Sequence, residues 1–395
     1  MIEETIRELG EQNQTQPPVM ATNIIEVNDW KWKKRFIDFP HDLYAGDPNY
    51  VPEIYLGQKD LLSEKSNPFF QHAKVQLFLA LRNGEIVGRI AAIRNGQYID
   101  FYEKNAGFFG FFDVIEDYEV ARLLLDTAIG WLKKQGLDSV VGPANFSTND
   151  PAGLLVDGFD SPPVVMMTYN RPYYADFLDK YGFQKQMDLL AYLVRKENAN
   201  FKSVELAQKL KERLATRGIT FRTVNMKKFK EELVPVREVY KAAWDKNWGF
   251  VPPTDAEFDH MADGMKMVID PDFAILAEQN GQLIGFALAV PDINVIARTL
   301  KKGRILPFGI FKLLFGKKKI KRLRIILLGV RPDHRRMGIE GVFYATIITK
   351  GLEKGYTEAE ASWILDNNEM MKRGVESVGM EAYKRYRMYE KSLAG

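Results

Sequence analysis

The sequence predicts an α/β protein built from two copies of one structural unit. In each half, a β-hairpin precedes a run of strand, helix, strand, helix and strand, and the hairpins turn at Asn83-Gly84 and Asn280-Gly281. The 395 residues suffice for two domains, and the 46% hydrophobic and 27% charged content is typical of globular proteins. The halves barely match in sequence, so the repeat lies in the order of the elements.

The composition excludes several classes of protein. The absence of cysteine rules out disulfides, thiolate nucleophiles and cysteine-ligated metals, and the four histidines are too scattered to predict a metal site. A net charge of +3 is too small to indicate a nucleic-acid partner. Residues 1–20 lack the features of a signal peptide, and no run of 18 apolar residues occurs, so we expect a cytoplasmic protein.

The first domain is predicted to span residues 21–198, after a tail at 1–20. Prolines and aromatic residues between Pro40 and Pro68 indicate an extended, well-packed loop, and a second long loop, 142–174, is rich in Pro, Gly, Asn and Asp. Long loops in compact domains are often functional. Apolar periodicity predicts these elements: helix Trp30–Phe39, strands Val75–Leu81, Glu85–Ile93 and Gly107–Val114, helix Glu119–Gln135, strand Ser139–Val141, helix Tyr174–Lys180 and strand Asp188–Val194.

A charged helical linker is predicted at 199–218, followed by the second domain at 219–395 with a basic insert at 294–324. The same periodicity arguments apply to its elements. In chain order these are strand Phe221–Val224, helix Lys227–Lys246, strands Phe273–Glu278 and Leu283–Val290, strand 325–330 with the helix after it, strand Glu360–Leu365, helix Glu369–Val378 and strand Ala382–Tyr389.

The segment 325–352 has the layout of a phosphate-binding site. An apolar strand leads into the basic, glycine-bearing loop Arg335-Arg336-Met337-Gly338-Ile339-Glu340-Gly341, and a largely apolar helix follows. Free N–H groups and the dipole at the start of such a helix attract anions, and arginines add charge-assisted donors. The loop is neither a Walker motif nor a dinucleotide fingerprint, and an ordinary strand-to-helix turn is the alternative interpretation.

The loop resembles the acyl-CoA signature of the GCN5-related N-acetyltransferase (GNAT) family, Arg/Gln-x-x-Gly-x-Gly/Ala. Arg335 and Gly338 match it, whereas Glu340 replaces the last small residue and Gly341 follows. The family's later motif, an asparagine and a glycine eleven residues further on, is present as Asn368 and Gly379. The resemblance implies two tandem GNAT-like domains, each a mixed, mostly antiparallel sheet flanked by helices.

The resemblance also implies the cosubstrate and its site. Acetyl-CoA or another acyl-CoA, without a metal, is expected to bind the second domain through Leu328, Val330, Arg335, Arg336, Met337, Gly338, Ile339, Glu340, Gly341 and Asn368. The corresponding loop of the first domain, 115–119, is acidic and has no glycine, so it would repel a pyrophosphate. We therefore expect a single acyl-CoA site.

Transfer of an acyl group to an amine needs a general base. Glu360 and Asp366 are candidates, although Glu360 could face solvent and Asp366 could be a helix N-cap or turn residue. Members of the family often use a tyrosine as general acid, and the corresponding position here holds Val375. Tyr386 is the candidate to replace it as general acid, and a packing role is the alternative interpretation of Tyr386. Acceptor-binding candidates come from the long loop and the next-to-last strand: Asn145, Asp150, Tyr169, Asn170 and Trp363, the last of which could equally belong to the core.

The insert 294–324 contains eleven Lys/Arg and no acid, interleaved with apolar residues. This pattern indicates either a peripheral membrane contact or a lid with solvated lysines. The predicted function is acyl transfer, with acetyl as the expected group, from acyl-CoA to a small amine or amino-acid-like molecule. Alternatives are a long-chain acyltransferase acting on an amphiphilic amine at a membrane surface and a non-catalytic CoA-binding scaffold.

Overall fold

The computed structural model describes residues 21–266, 268–307 and 309–393, with the backbone alone at 313 and 314. The predicted tail at 1–20 lies outside these residues. The described strands are β1 Thr22–Glu26, β2 Ala73–Arg82, β3 Glu85–Asn95, β4 Ala106–Val114, β5 Ser139–Gly142, β6 Leu154–Asp157, β7 Gln184–Arg195, β8 Ile219–Thr223, β9 Ala274–Gln279, β10 Gln282–Pro291, β11 Arg322–Val330, β12 Glu358–Leu365 and β13 Glu381–Ser392.

The helices flank these strands on both faces. They are α1 Trp30–Leu43, α2 Tyr55–Leu61, α3 Gly96–Tyr102, α4 Tyr118–Lys134, α5 Tyr173–Tyr181, α6 Phe201–Ala215, α7 Phe229–Trp244, α8 Asp255–Met265, α9 Asn294–Ala297, α10 Gly309–Gly316, α11 Ile339–Glu353 and α12 Glu369–Ser377. No helix in the described ranges is long and apolar enough to cross a bilayer.

All the strands belong to one mixed sheet that runs through both halves of the chain. Its order is β1-β2-β3-β4-β5-β13-β7-β12-β11-β10-β9-β8, with β6 paired to β13 off this path. The last strand of the chain, β13, therefore lies between β5 and β7 of the first half, while β7 pairs with β12 of the second. Each half completes the sheet of the other, so the two predicted units share one central sheet.

The predicted mixed α/β architecture is confirmed, and most predicted elements lie within a few residues of the observed ones. The extended loop predicted at Pro40–Pro68 is wrong in part, because α1 continues to Leu43 and α2 lies inside that range. Strand β11 begins at Arg322, three residues before the apolar run. The strand tolerates its arginines because Arg322 pairs with Glu358 and Arg324 with Glu360 on the neighbouring strand.

Apolar clusters cover both faces of the sheet. In the first half, one cluster packs beneath α4 and another lies between the sheet and the long loop that follows β5. In the second half, the largest cluster packs α6 and α11 against the sheet, and a smaller one lies under α7. The sheet is thus rigidly supported where β11 and β12 leave each other, which is where the candidate site lies.

Candidate active site

A cleft opens between the parallel strands β11 and β12. The two strands pair only over Arg322–Ile325 and Glu358–Ala361 and then diverge. The resulting cavity has a volume of about 250 Å³ and is lined by residues of both strands, including Leu328, Val330 and Trp363. Backbone groups of β11 on the side away from β10 have no strand partner beyond Ile325, so they are available to a ligand.

The first turn of α11 stands at the mouth of this cleft. Its N-cap is Gly338, at φ +82°, and no side chain caps the helix at this position, while the Glu340 carboxylate accepts from the N–H of its own residue. A Cβ on Gly338 would lie 2.4 Å from Leu210 Cδ2, so a larger residue would require the Leu210 side chain to move, and the left-handed backbone itself favours glycine. Arg336 is exposed beside it and has no ion-pair partner among the described residues. The arrangement fits a phosphate group.

The other loop residues have different surroundings. Arg335 lines the cleft, but its guanidinium donates to the backbone oxygens of Ala243 and Val330. Met337 and Ile339 pack into the core, and Gly341 faces open space. Glu340 also lines the cleft, and burial raises the pKa of its carboxyl, opposed by the charge of Arg335.

Asn368 has a structural role and a place in the cleft at once. It is the N-cap of α12, where its Oδ1 accepts a hydrogen bond from Met371 N at 3.1 Å. It also lines the cavity, together with Met371. Val375, at the position of the family's usual tyrosine, is fully buried in the core and contributes no polar group.

Glu360 lies beside the cleft, one residue before β12 separates from β11, and its side chain lines neither the cleft nor the neighbouring cavities. It is 0% exposed and stands in register with Arg324, which is 2% exposed, and the Arg324 Nε to Glu360 Oε2 distance is 3.6 Å. Burial raises the pKa of Glu360 to about 7, while the charge of Arg324 opposes the shift. The solvent-facing alternative for this side chain is therefore wrong.

Several polar atoms around Glu360 lack hydrogen-bond partners among the described residues. They are both carboxylate oxygens of Glu360, the Tyr386 hydroxyl, Trp363 Nε1 and Arg324 Nε. Each is buried. Burial raises the pKa of the Tyr386 hydroxyl far above its usual value, so this group stays protonated and can donate a hydrogen bond. Unsatisfied buried polar groups are costly, and such a concentration is typical of a site that takes up a polar ligand or water.

Asp366 lies in the turn between β12 and α12, where it is half-buried. Its backbone N–H donates to Asp188 O, its backbone oxygen accepts from Lys372 Nζ, and its carboxylate is 3.9 Å from the same lysine. It lines neither the cleft nor the cavities beside it. Because Asn368 is the N-cap of α12, Asp366 is a turn residue, which is the second of the two structural roles considered for it.

The equivalent separation of strands in the first half is filled by the chain itself. Strands β4 and β5 pair in parallel only over Ala106–Phe108 and Ser139–Val141. Beyond this point, Ala144 donates its N–H to Phe109 O, and Asn145 Oδ1 accepts from Phe111 N at 2.7 Å. The long loop thus occupies the place that a ligand would take, in addition to the acidic character of residues 115–119.

Three of the acceptor candidates line a second cavity, of about 400 Å³, between the long loop, α1 and the end of β4. Asn145 and Asn170 hold backbone groups there. The side-chain amide of Asn170 accepts a hydrogen bond from Leu155 N–H and donates one to Leu155 O, and Asn145 accepts from Phe111 N–H. The Tyr169 hydroxyl donates to Asp47 at 2.9 Å. Asp150 accepts from Ser147 instead and does not line the cavity, and desolvation raises its pKa to about 6.

A short stretch of the long loop separates this cavity from Glu360. Val165 and Met167 line the cavity, yet Val165 O accepts a hydrogen bond from Arg324, and Met167 Sδ lies 3.3 Å from Ser362 Oγ. Val165 N–H donates to the buried Asp292. The large cavity and the cleft are therefore neighbours across a single layer of side chains that includes flexible methionine.

The cleft continues into a smaller cavity between the two halves, which the sequence did not predict. Trp244, Asn247, Trp363 and Leu365 line both, and Trp248 extends the apolar wall. The long loop closes it, because Asn149 Nδ2 donates to Val251 O at 2.9 Å. The aromatic residues of the stretch 244–250, which begins at the last residue of α7, could have indicated this cavity. Periodicity assigned that stretch only to the end of a helix.

The described residues contain no group of three or more His, Cys, Asp or Glu side chains placed to hold a metal ion.

The chain has two extensive relatives among characterised proteins. It is 36% identical over 367 residues to Protein YghO of Escherichia coli (strain K12), covering 91% of this chain and 93% of that protein. It is 37% identical over 387 residues to a bacterial ceramide synthase of Caulobacter vibrioides (strain NA1000 / CB15N), covering 95% of this chain and all of that protein. No family model matches.

The fold has a solved counterpart as well. A tandem GNAT protein from the clavulanic acid biosynthesis pathway, solved without acetyl-CoA, superposes with a TM-score of 0.59 over 95% of this chain and 99% of that one, at 12% identity. The shared sheet and the open second cleft thus define a protein of the tandem GNAT fold, which confirms the resemblance seen in the motifs. Within it, this chain belongs to the family that includes YghO and the bacterial ceramide synthase.

Proposed function

We propose that this protein transfers an acyl group from acyl-CoA to the amino group of an amphiphilic acceptor, a long-chain amino alcohol. The observation that carries acyl transfer is the β11–β12 cleft, with an uncapped helix N-terminus at its mouth and the buried Glu360 beside it. The ceramide synthase relative supports the acceptor, because a ceramide is an N-acylated long-chain amino alcohol. The choice replaces the small amine that the sequence alone favoured.

The residues of the cleft account for binding and positioning. The first turn of α11 and Arg336 would hold the phosphates of the acyl-CoA, and the unpaired edge of β11 near Leu328 would orient the thioester and stabilise its oxyanion. The apolar extension past Trp363 and Trp248 suits an acyl chain or the acceptor's hydrocarbon chain. The long loop of the first half forms one wall of that extension.

The chemistry requires one proton to leave the amine. Its nitrogen attacks the thioester carbonyl, the C–N bond forms and the C–S bond breaks, while Glu360 accepts the proton from nitrogen. A pKa of about 7 suits a base that operates near neutral pH. A thiol of pKa about 8.5 leaves readily as a thiolate, so this step needs no acid from the protein. Burial raises the pKa of the Tyr386 hydroxyl far above that of the thiol, which makes it a poor proton donor.

The pH profile should report Glu360 directly. Because the base acts only when deprotonated, kcat/KM should fall as pH drops through about 7 and level off above it. Replacing Arg324 with Met removes the positive charge that lowers this pKa, so the midpoint should move to higher pH by about one unit. Steady-state rates measured from acid to alkaline pH give both midpoints.

Arg195→Met is the matched control for that profile. Arg195 lies on the adjacent strand β7, is largely exposed and pairs with Glu358 rather than with Glu360. Its removal should leave the midpoint unchanged. A wild-type profile that is flat across pH 7, or an identical midpoint in Arg324→Met, would remove Glu360 from the role of base.

A substrate matrix tests the function itself. The purified protein is incubated with acetyl-CoA or palmitoyl-CoA and with a long-chain amino diol, a short amino alcohol or an amino acid, and free thiol is measured. We expect thiol release with the long-chain amine and formation of its amide by mass spectrometry. Release only with short amines would return the assignment to a small-amine acyltransferase. Binding of CoA without thiol release from any pair would indicate the scaffold alternative.

A further inference from the structure

The segment 305–319 carries apolar side chains that no described part of the chain covers. The side chains of Leu306, Ile310, Phe311 and Phe315 are 66%, 41%, 55% and 78% exposed. The three in α10 fall within about 140° of the helix circumference, so they form one face. Contiguous exposed apolar side chains of this size mark interaction surfaces.

The opposite side of α10 is fixed against the second half. A Cβ on Gly309 would lie 2.8 Å from Leu300 Cδ2, and one on Gly316 would lie 2.8 Å from Ile296 Cγ1. Two glycines therefore let the helix lie directly on the segment that follows β10. Lys312 Nζ adds a hydrogen bond to Thr299 O at 2.7 Å. This packing determines which face points outward, so the exposure of the phenylalanines is built into the fold.

Positive charge surrounds this face. Residues 294–324 contain eleven Lys/Arg and no carboxylate. Some of these cations are neutralised by the domain, as in the pairs of Lys302 with Asp42 and Arg304 with Asp38. Others are exposed and have no ion-pair partner among the described residues; they are Lys301, Lys317, Lys318 and Lys319. The surface thus combines an apolar centre with uncompensated cations.

We propose that α10 and the lysines around it dock this protein on an anionic lipid bilayer. An apolar helix face beside lysines matches the acyl region and the charged headgroups of such a surface, and each lysine close to it adds electrostatic attraction. Acidic side chains of a water-soluble protein partner would match the exposed cations. They would not account for the exposed phenylalanines. The docking surface stands independently of the proposed acyl transfer.

The position of the surface is consistent with the supply of a lipid-like acceptor. Arg304 and Lys302 join the insert to α1, and α1 contributes Pro40 and His41 to the wall of the 400 Å³ cavity. Ile293 and Asn294, at the start of the insert, line the same cavity. Docking through α10 would therefore place this cavity close to the bilayer.

Vesicle co-sedimentation of the full chain tests the proposal. Vesicles of phosphatidylcholine alone are compared with vesicles of phosphatidylcholine and phosphatidylglycerol, without acyl-CoA or amine, so the result does not depend on catalysis. We expect binding to the anionic vesicles that weakens with added salt, and much less binding to the neutral ones. The double variant Phe311→Ser, Phe315→Ser should reduce the binding constant about tenfold or more. The triple variant Lys317→Gln, Lys318→Gln, Lys319→Gln should remove the salt dependence.

Matched controls change the same residue types elsewhere on the surface. Phe101→Ser with Phe201→Ser alters two exposed phenylalanines, and Lys133→Gln with Lys134→Gln two exposed lysines, all outside the insert. Both controls should bind vesicles like the wild type. If the wild type stays in the supernatant with anionic vesicles, or if the Phe311 and Phe315 variant binds as tightly, the proposal is overturned. A phenylalanine-dependent dimer that does not bind vesicles would assign the surface to self-association and overturn it too.

Discussion

Glu360→Gln should lower kcat by a factor of about 10² to 10⁴ while leaving the binding of acyl-CoA unchanged. Glutamine has nearly the same shape but cannot accept the proton that the attacking amine must lose. The substitution also removes the counter-charge of the buried Arg324, so some loss of stability is expected and the melting temperature is measured beside the rate. Initial rates of thiol release, measured with saturating acyl-CoA and the long-chain amine, give the effect.

The matched control is Glu358→Gln, two residues earlier on β12. Glu358 pairs with Arg322 and Arg195 at the outer end of the strand and is partly solvent-exposed. That variant should retain most of the activity and a melting temperature close to the wild type. Equal activity in the two variants would exclude Glu360 as the base. A Glu360→Gln protein that is inactive but unfolded is recognised by its melting curve, and Glu360→Asp then provides the test with the carboxylate retained.

Gly338→Glu should abolish the stabilisation that acyl-CoA gives the protein. A ligand present at about 100 times its Kd stabilises the native state by about 2.7 kcal/mol. The new carboxylate would face the pyrophosphate at the start of α11 and repel it. Differential scanning fluorimetry with and without CoA measures the ligand-induced shift, and calorimetric titration measures the binding constant.

Gly355→Glu is the matched control, because Gly355 also has a left-handed backbone, at φ +84°, but follows the C-terminal end of the same helix. Both variants carry backbone strain and an added charge, yet only the first is placed against the phosphates. Gly338→Glu also contacts Leu210, so the double variant with Leu210→Ala separates a packing defect from lost binding. An undiminished CoA shift in Gly338→Glu would exclude this helix N-terminus as the phosphate site.

The elements of the fold and the phosphate loop were predictable because their causes are local. The hairpin turns, the periodicity of the helices and the glycine before α11 each depend on residues a few positions apart. Asn368 and Gly379 likewise flank a single helix, and Asn368 is observed as the N-cap of that helix. The assignment to the GNAT fold needed only these local signals and their order along the chain.

The acceptor side was harder to predict because its contacts join distant parts of the chain. The loop 142–174 lines two cavities, and its Asn145 and Asn170 hold backbone groups that no sequence pattern announces. Trp244 ends α7 and Trp248 follows it, and the strands of one half insert into the other. Their proximity depends on the completed sheet.

By itself, the sequence determined the α/β class, the repeat of two units and the location of the glycine-led helix N-terminus that is the candidate phosphate site, since propensity, periodicity and the freedom of glycine act over short distances. Only the tertiary structure decided that β13 completes the first half, that the first cleft is filled by its own loop and that Arg324 stands opposite Glu360. The alignment of β11 with β12 brings these two charges together across 36 positions of the chain. Burial raises the pKa of Glu360 to about 7 while the charge of Arg324 limits the rise, which gives a carboxyl in an apparently ordinary strand the pKa of a base.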